Sequence, residues 1–233
     1  MVTDFLPLFA GLGEFLDSFF YPIFKATDES ALASAVKASN WLVPWAGAIH
    51  LLGLGLLGGA VLLVDMRVIG SGVKSVGPAE VMHATRPYLA LAIAVLVFSG
   101  VTIGLGQAMR LFGSPPYWLK MAGLAAALVF TFGVRNRLIS NGGQLTAVNI
   151  AMAAISLILF FGVFAWVSNT LAQVALGLLI VALLIWVFLA GRGSPKAATM
   201  DGARQGWTTK SASVLNIIMW MTVAASGRWI AFW

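Results

Sequence analysis

An all-α bundle of about six membrane-spanning helices, preceded by an N-terminal amphipathic or interfacial helix, is the fold class that this sequence predicts, and three observations carry it. Sixty per cent of the 233 residues are hydrophobic and only 9% charged, whereas a soluble domain carries about 25% charged residues. The apolar residues fall in blocks of about 20, a length that crosses the ~30 Å hydrocarbon layer at 1.5 Å per residue. No period-two alternation runs through these blocks, so helices rather than a β-barrel are left to satisfy the backbone inside lipid.

Taken in order, residues 1–40 read as a non-cytoplasmic interfacial helical segment and residues 41–233 as the transmembrane domain. Phe15, Leu16, Phe19, Phe20 and Phe24 recur at helical spacing and predict an amphipathic helix lying in the interface or packed on the bundle. The stretch lacks a basic region and is interrupted by Glu14 and Asp17, unlike a signal peptide. Thr27, followed by Asp28 and Glu29, has the pattern of a second helix start. The predicted spans are Trp41–Val64, Pro87–Met109, Tyr117–Val134, Thr146–Val167, Leu171–Ala190 and Ser213–Phe232. Gly113-Ser114-Pro115-Pro116, Asn141-Gly142-Gly143 and the Gly, Ser and Pro of 191–196 are turn sequences between them. Such short links predict antiparallel neighbours. No internal repeat is visible.

Charge sets the expected orientation. The loops 65–86, 135–145 and 191–212 hold nine Lys and Arg, among them Arg67, Arg86, Arg135 and Arg137, against at most five on the other side. Positive-inside reasoning then turns both termini away from the cytoplasm. The net charge of +6 is accounted for by topology rather than by nucleic acid, and membrane lipid is the expected partner. The absence of cysteine excludes disulfides, thiolate-bound metals, cysteine-ligated iron–sulfur clusters and a cysteine nucleophile. No HExxH, P-loop, nucleophile elbow or paired intramembrane carboxylate is present, which gives hydrolase and ATPase readings little support.

His50 is the one histidine inside a span, ~14 Å down the helix from Trp41, and an intramembrane ionisable group is a functional candidate. Gly47, Gly53, Gly55, Gly58 and Gly59 leave that flank of the helix bare, open either to a flat cofactor or to close helix packing, with Gly55 and Gly59 at GxxxG spacing. On this reading His50 is a candidate metal or haem ligand. His83 does not complete a bis-histidine site, because Gly77-Pro78-Ala79-Glu80 reads as the start of the next helix and puts His83 at the opposite interface. There Asp65, Arg67, His83 and Arg86 form a candidate cytoplasmic polar cluster: an interfacial ion-pair network, or a docking or proton-entry point. Pro87 also frees the His83 carbonyl. At the other edge Gln107, Lys120, Gln173 and Arg228 come from four different spans at similar depth. With His50 they would line a cavity for haem propionates or a quinone head. Alternatively Lys120 and Arg228 snorkel to the head groups beside Trp118 and Trp229. The nine methionines read first as packing residues.

The run His50-Leu51-Leu52-Gly53-Leu54-Gly55-Leu56-Leu57-Gly58-Gly59, leading to Asp65-Met66-Arg67, together with Tyr117-Trp118-Leu119-Lys120, resembles a bacterial polytopic inner-membrane protein family of unknown function. More distantly it is similar to copper-resistance D and cytochrome b561-like helical membrane proteins. The resemblance covers roughly residues 40 to 135. It implies an inner-membrane helix bundle whose first-span histidine, here His50, contacts haem or copper. The sequence departs from the b-type cytochrome pattern in having no second intramembrane histidine at matching depth. Three functional classes follow: a redox-associated protein binding haem b or quinone near His50, for electron transfer or to anchor a partner enzyme; a transporter or channel for a metal ion or small solute; and a scaffolding subunit that joins other membrane subunits or copies of itself.

Overall fold

The computed structural model describes residues 7–71, 75–167 and 206–232. The expected span Leu171–Ala190, with Gln173, and the basic residues of 191–205 lie outside the described residues. Among the described residues all regular structure is helical. Four helices are long and apolar enough to cross a membrane: Leu42–Ile69, Pro78–Gly106, Pro115–Ser140 and Trp207–Phe232. A fifth apolar helix, Ala147–Val167, follows the third. This fits a membrane protein, as does the outer surface, where Leu51, Leu52, Val97, Phe98 and Ile158 stand exposed as lipid-facing side chains do.

The N-terminal part forms α1 (Pro7–Asp28) and α2 (Ala31–Ala38). Phe20 and Phe24 of α1 reach Trp118 at ring separations of 5.0 and 5.7 Å, and Phe24 and Tyr21 reach Phe112. Of the predicted amphipathic face, Phe20 and Phe24 thus pack on a corner of the bundle, while Phe15 and Phe19 stand exposed. The cap of the next helix differs from expectation. Ser30, not Thr27, accepts the Ala33 amide at 3.1 Å, while Asp28 closes α1 and pairs with Lys37 of α2 at 2.8 Å. A hydroxyl at the residue just before the first helical turn is the one that reaches an orphan amide, and Thr27 instead bonds back to the Ile23 carbonyl inside α1.

Helix α3 (Leu42–Ile69) runs five residues past the expected Val64 and ends at Gly70, whose φ of 106° makes the left-handed cap with both Gly70 and Ser71 amides on the Met66 carbonyl. Helix α4 (Pro78–Gly106) starts as expected, with Pro78 in the first turn and Glu80 behind it. The two form an antiparallel hairpin whose contacts step down both chains in opposite directions. A Cβ on Gly106 would stand 2.7 Å from Val43, and one on Gly53 would stand 3.0 Å from Val95. Of the glycines on the flank of His50, Gly53 meets another helix, whereas a Cβ on Gly47, Gly55, Gly58 or Gly59 would have nothing within 4 Å among the described residues.

A short helix α5 (Ala108–Phe112) turns the chain into α6 (Pro115–Phe130), which passes through a π-helical turn, Thr131–Arg135, into α7 (Asn136–Ser140). The expected loop arginine Arg135 is thus corrected: the helix continues through it, and it is 2% exposed. The chain then reverses at Asn141-Gly142-Gly143, where Gly142 and Gly143 both have positive φ. Helix α8 (Ala147–Val167) packs on α6, and α9 (Trp207–Trp229) packs on both α6 and α3. The core between them is built from Leu57, Val61, Ala126, Phe130, Phe160 and Val223. Small residues on α6 allow the close approach, since a Cβ on Gly123 would lie 3.1 Å from Val223.

Candidate functional site

Two polar stations link α3 to α6, near opposite ends of the bundle. In the first, the His50 ring lies between Ser99 of α4 and Lys120 of α6, with Nδ1 2.9 Å from Ser99 Oγ and Nε2 3.3 Å from Lys120 Nζ. The serine hydroxyl has one proton and places it on the Val95 carbonyl at 2.6 Å, so it accepts from His50 Nδ1–H. The Nε2 lone pair is then left to accept from the Lys120 ammonium, a tautomer assigned from the hydrogen-bond network. A Cβ on Gly100 would sit 3.5 Å from the His50 ring, and one on Gly227 of α9 would sit 3.5 Å from the Lys120 stem. Helices α3, α4, α6 and α9 thus converge on one half-buried cation and one neutral imidazole. Lys120 makes no other hydrogen bond among the described residues, which leaves two of its three N–H donors unused by them.

The second station is fully buried. Arg135 Nε lies 3.0 Å from Asp65 Oδ1, and Arg135 Nη1 donates to Asn136 Oδ1 at 2.8 Å. Asn216 of α9 donates to Asp65 Oδ2 at 2.7 Å and receives Thr131 Oγ1 on its own carbonyl oxygen at 2.7 Å. Trp220 Nε1 donates to Thr131 Oγ1 at 3.0 Å. The π-helical turn brings Thr131 and Arg135 to this network together. Its backbone also finds a partner outside the helix, because Asn149 of α8 donates to the Gly133 carbonyl at 3.1 Å.

Both stations couple the same two helices at the same spacing. Asp65 and Arg135 each follow their counterparts His50 and Lys120 by fifteen residues, or ~22 Å of helix. Helices α3 and α6 therefore run parallel and in register, with polar side chains bridging them at two levels while α9 packs against both.

Of the sequence candidates, the structure brings His50 and Lys120 into direct contact. It does not bring Gln107 or Arg228 to them. Gln107 caps the end of α4 and accepts from Arg110 at 3.3 Å, and Arg228 lies over the Phe232 ring at 5.4 Å. The cytoplasmic cluster is likewise divided. Asp65 turns inward to Arg135, and Arg67 donates to the Val76 carbonyl across the loop after α3. His83 and Arg86 share with Arg135 the wall of a cavity of about 260 Å³. Ser99, Asn216 and Arg135 were not anticipated as site residues. Asn216 alone carried a visible signal, an amide in the middle of an apolar helix.

Neither a curated protein nor a solved structure matches the chain. A family model described as a family of unknown function, DUF6644, matches residues 36–177, a stretch that holds His50, Asp65, Ser99, Lys120 and Arg135. The match covers more than half of the chain, and the protein belongs to that family.

Proposed function

We propose that this chain is an inner-membrane protein of a bacterium whose His50–Lys120 pair binds the carbonyl head of a membrane-dissolved quinone, near the face turned away from the cytoplasm. One observation carries the reading. A half-buried ammonium is held by a neutral imidazole at 3.3 Å, at the meeting point of four helices, with two N–H donors left over. A carbonyl oxygen satisfies such donors without bringing a second charge into an apolar place. Trp41 and Trp45 stand exposed near the start of α3 and Trp229 near the end of α9, where aromatic side chains mark the head-group level; His50, ~14 Å further down α3 than Trp41, then lies within the hydrocarbon layer, where a lipid-dissolved ring reaches it.

The haem b and metal branches fit the same residues poorly. An axial histidine offers its Nε2 lone pair to iron, and here that lone pair faces a cation. The ring is closed in on its other side by Ser99 and Gly100. His83 lies level with Asp65 by the antiparallel register, ~22 Å or more along the helix from His50. Among the described residues no three His, Asp or Glu side chains converge as metal ligands do.

The test is a thermal-stability titration of the detergent-purified full chain with a short-chain quinone. The wild type is expected to gain stability saturably. Lys120→Met, which keeps the length of the side chain and removes the donors, is expected to fold as well and to bind at least tenfold more weakly, the scale of a lost charge-assisted hydrogen bond. No saturable gain in the wild type, or an equal gain in Lys120→Met, overturns the proposal.

A further inference from the structure

At the opposite end of the bundle from the His50–Lys120 pair, we propose that the cavity between α4 and the α6–α7 rod is a binding site for a phosphate-bearing anion. Its walls supply two guanidinium groups from different helices, Arg86 of α4 and Arg135 of the π-helical turn. His83, Thr85, Asn136 and Ser140 are the other polar residues on it. No carboxylate is among the lining residues. Arg135 has Nε 3.0 Å from Asp65 Oδ1 in an ion pair and donates from Nη1 to Asn136 Oδ1, so its guanidinium is held by one ion pair and one hydrogen bond. Arg86 makes no hydrogen bond or ion pair among the described residues, so its charge is not neutralised by the protein there. Asp65 balances Arg135, so the net positive charge of the site is that of Arg86, beside a buried guanidinium positioned by its ion pair.

The ligand class follows from the donors. A carboxylate is planar and is satisfied by one guanidinium fork, whereas guanidinium groups supplied from two different helices suit a tetrahedral oxyanion with three acceptor oxygens. A volume of about 260 Å³ holds a phosphate group with a few attached atoms and is smaller than drug-sized pockets. Two sources present that chemistry: the head group of an anionic phospholipid, which basic pockets between helices on the cytoplasmic side are suited to take, and a soluble phosphate compound.

The site is tested on the full chain in two arms, with Arg86→Gln and His83→Gln as variants. Both side chains are exposed, so neither replacement disturbs the core. In detergent, inorganic phosphate is titrated against thermal stability, with sodium chloride at equal ionic strength as the control. In nanodiscs of phosphatidylcholine with and without phosphatidylglycerol, retained lipid is counted by native mass spectrometry. Saturable stabilisation by phosphate but not chloride, weakened at least fivefold by Arg86→Gln, supports the site. If one phosphatidylglycerol per chain is also retained by the wild type and lost from Arg86→Gln, the source is lipid; if none is retained, the source is a soluble phosphate. The proposal is overturned if phosphate acts no differently from chloride and no phosphatidylglycerol is retained, or if both variants bind as the wild type does.

Discussion

A guanidinium and a carboxylate removed from water hold each other in place at a high desolvation cost, and the stability consequences of Asp65 and Arg135 follow from that. Asp65 is 0% and Arg135 2% exposed, so removing one leaves the other charged and unpaired in an apolar core. Asp65→Asn and Arg135→Met are each expected to lower stability by about 3–5 kcal/mol, and the double replacement to recover most of the loss, because the pair itself is worth far less than an orphaned partner costs. Unfolding of the three variants in detergent measures this, and a double variant as unstable as the sum of the two singles contradicts it. His50 and Lys120 were legible in the sequence, since an ionisable side chain inside an apolar block is conspicuous. Their mutual contact was not, because it depends on Ser99 of α4 fixing the tautomer and on the parallel register of α3 and α6. Arg135 was misplaced for a simple reason: at the end of an apolar block an arginine has the same appearance whether it faces head groups or turns inward to a carboxylate on another helix.

The long spans follow from apolar blocks and from Pro, Gly and Asn at their ends, and at this level the sequence speaks clearly: Pro78, Pro115 and the Asn141-Gly142-Gly143 reversal stand where their chemistry puts them. The π-helical turn left no such trace. Thr131-Phe132-Gly133-Val134-Arg135 is ordinary helix sequence, and the turn is set by what surrounds it, notably the Asn149 amide on the Gly133 carbonyl and the approach of α8. At Gly133 a Cβ would stand 2.8 Å from Met152 Cβ, whereas at Gly55 it would meet nothing within 4 Å. Gly133→Ala is therefore expected to destabilise the chain by about 1–3 kcal/mol through overpacking. Gly55→Ala should be neutral or stabilising by up to about 1 kcal/mol, the helix propensity gained. Thermal unfolding of the two single variants separates them, and equal effects at both positions would mean that α8 does not press on the π-helical turn. Among the described residues Gly53 carries the contact with α4, while a Cβ at Gly55 or Gly59 would meet nothing within 4 Å.

At the scale of the whole molecule, the parallel pair α3 and α6 sets the two polar stations near opposite faces, and both proposed ligands depend on that arrangement. The quinone site requires the starts of α3 and α6 to share the non-cytoplasmic face. The phosphate site requires the reversal after α7 to lie on the cytoplasmic face, where the excess of Lys and Arg in the sequence points. With no cysteine in the chain, a single introduced thiol reports its own side of the membrane without background. Asn40, just before α3, Gly113, just before α6, and Asn141, after α7, are all exposed. Labelling of Asn40→Cys, Gly113→Cys and Asn141→Cys in intact cells and in permeabilised cells with a membrane-impermeant maleimide is the most direct test. The account predicts that Asn40→Cys and Gly113→Cys react in intact cells and that Asn141→Cys reacts only after permeabilisation. Reaction of Asn40→Cys and Gly113→Cys from opposite sides, or of all three from the same side, would contradict the parallel arrangement of α3 and α6 across a bilayer and with it the placement of both sites.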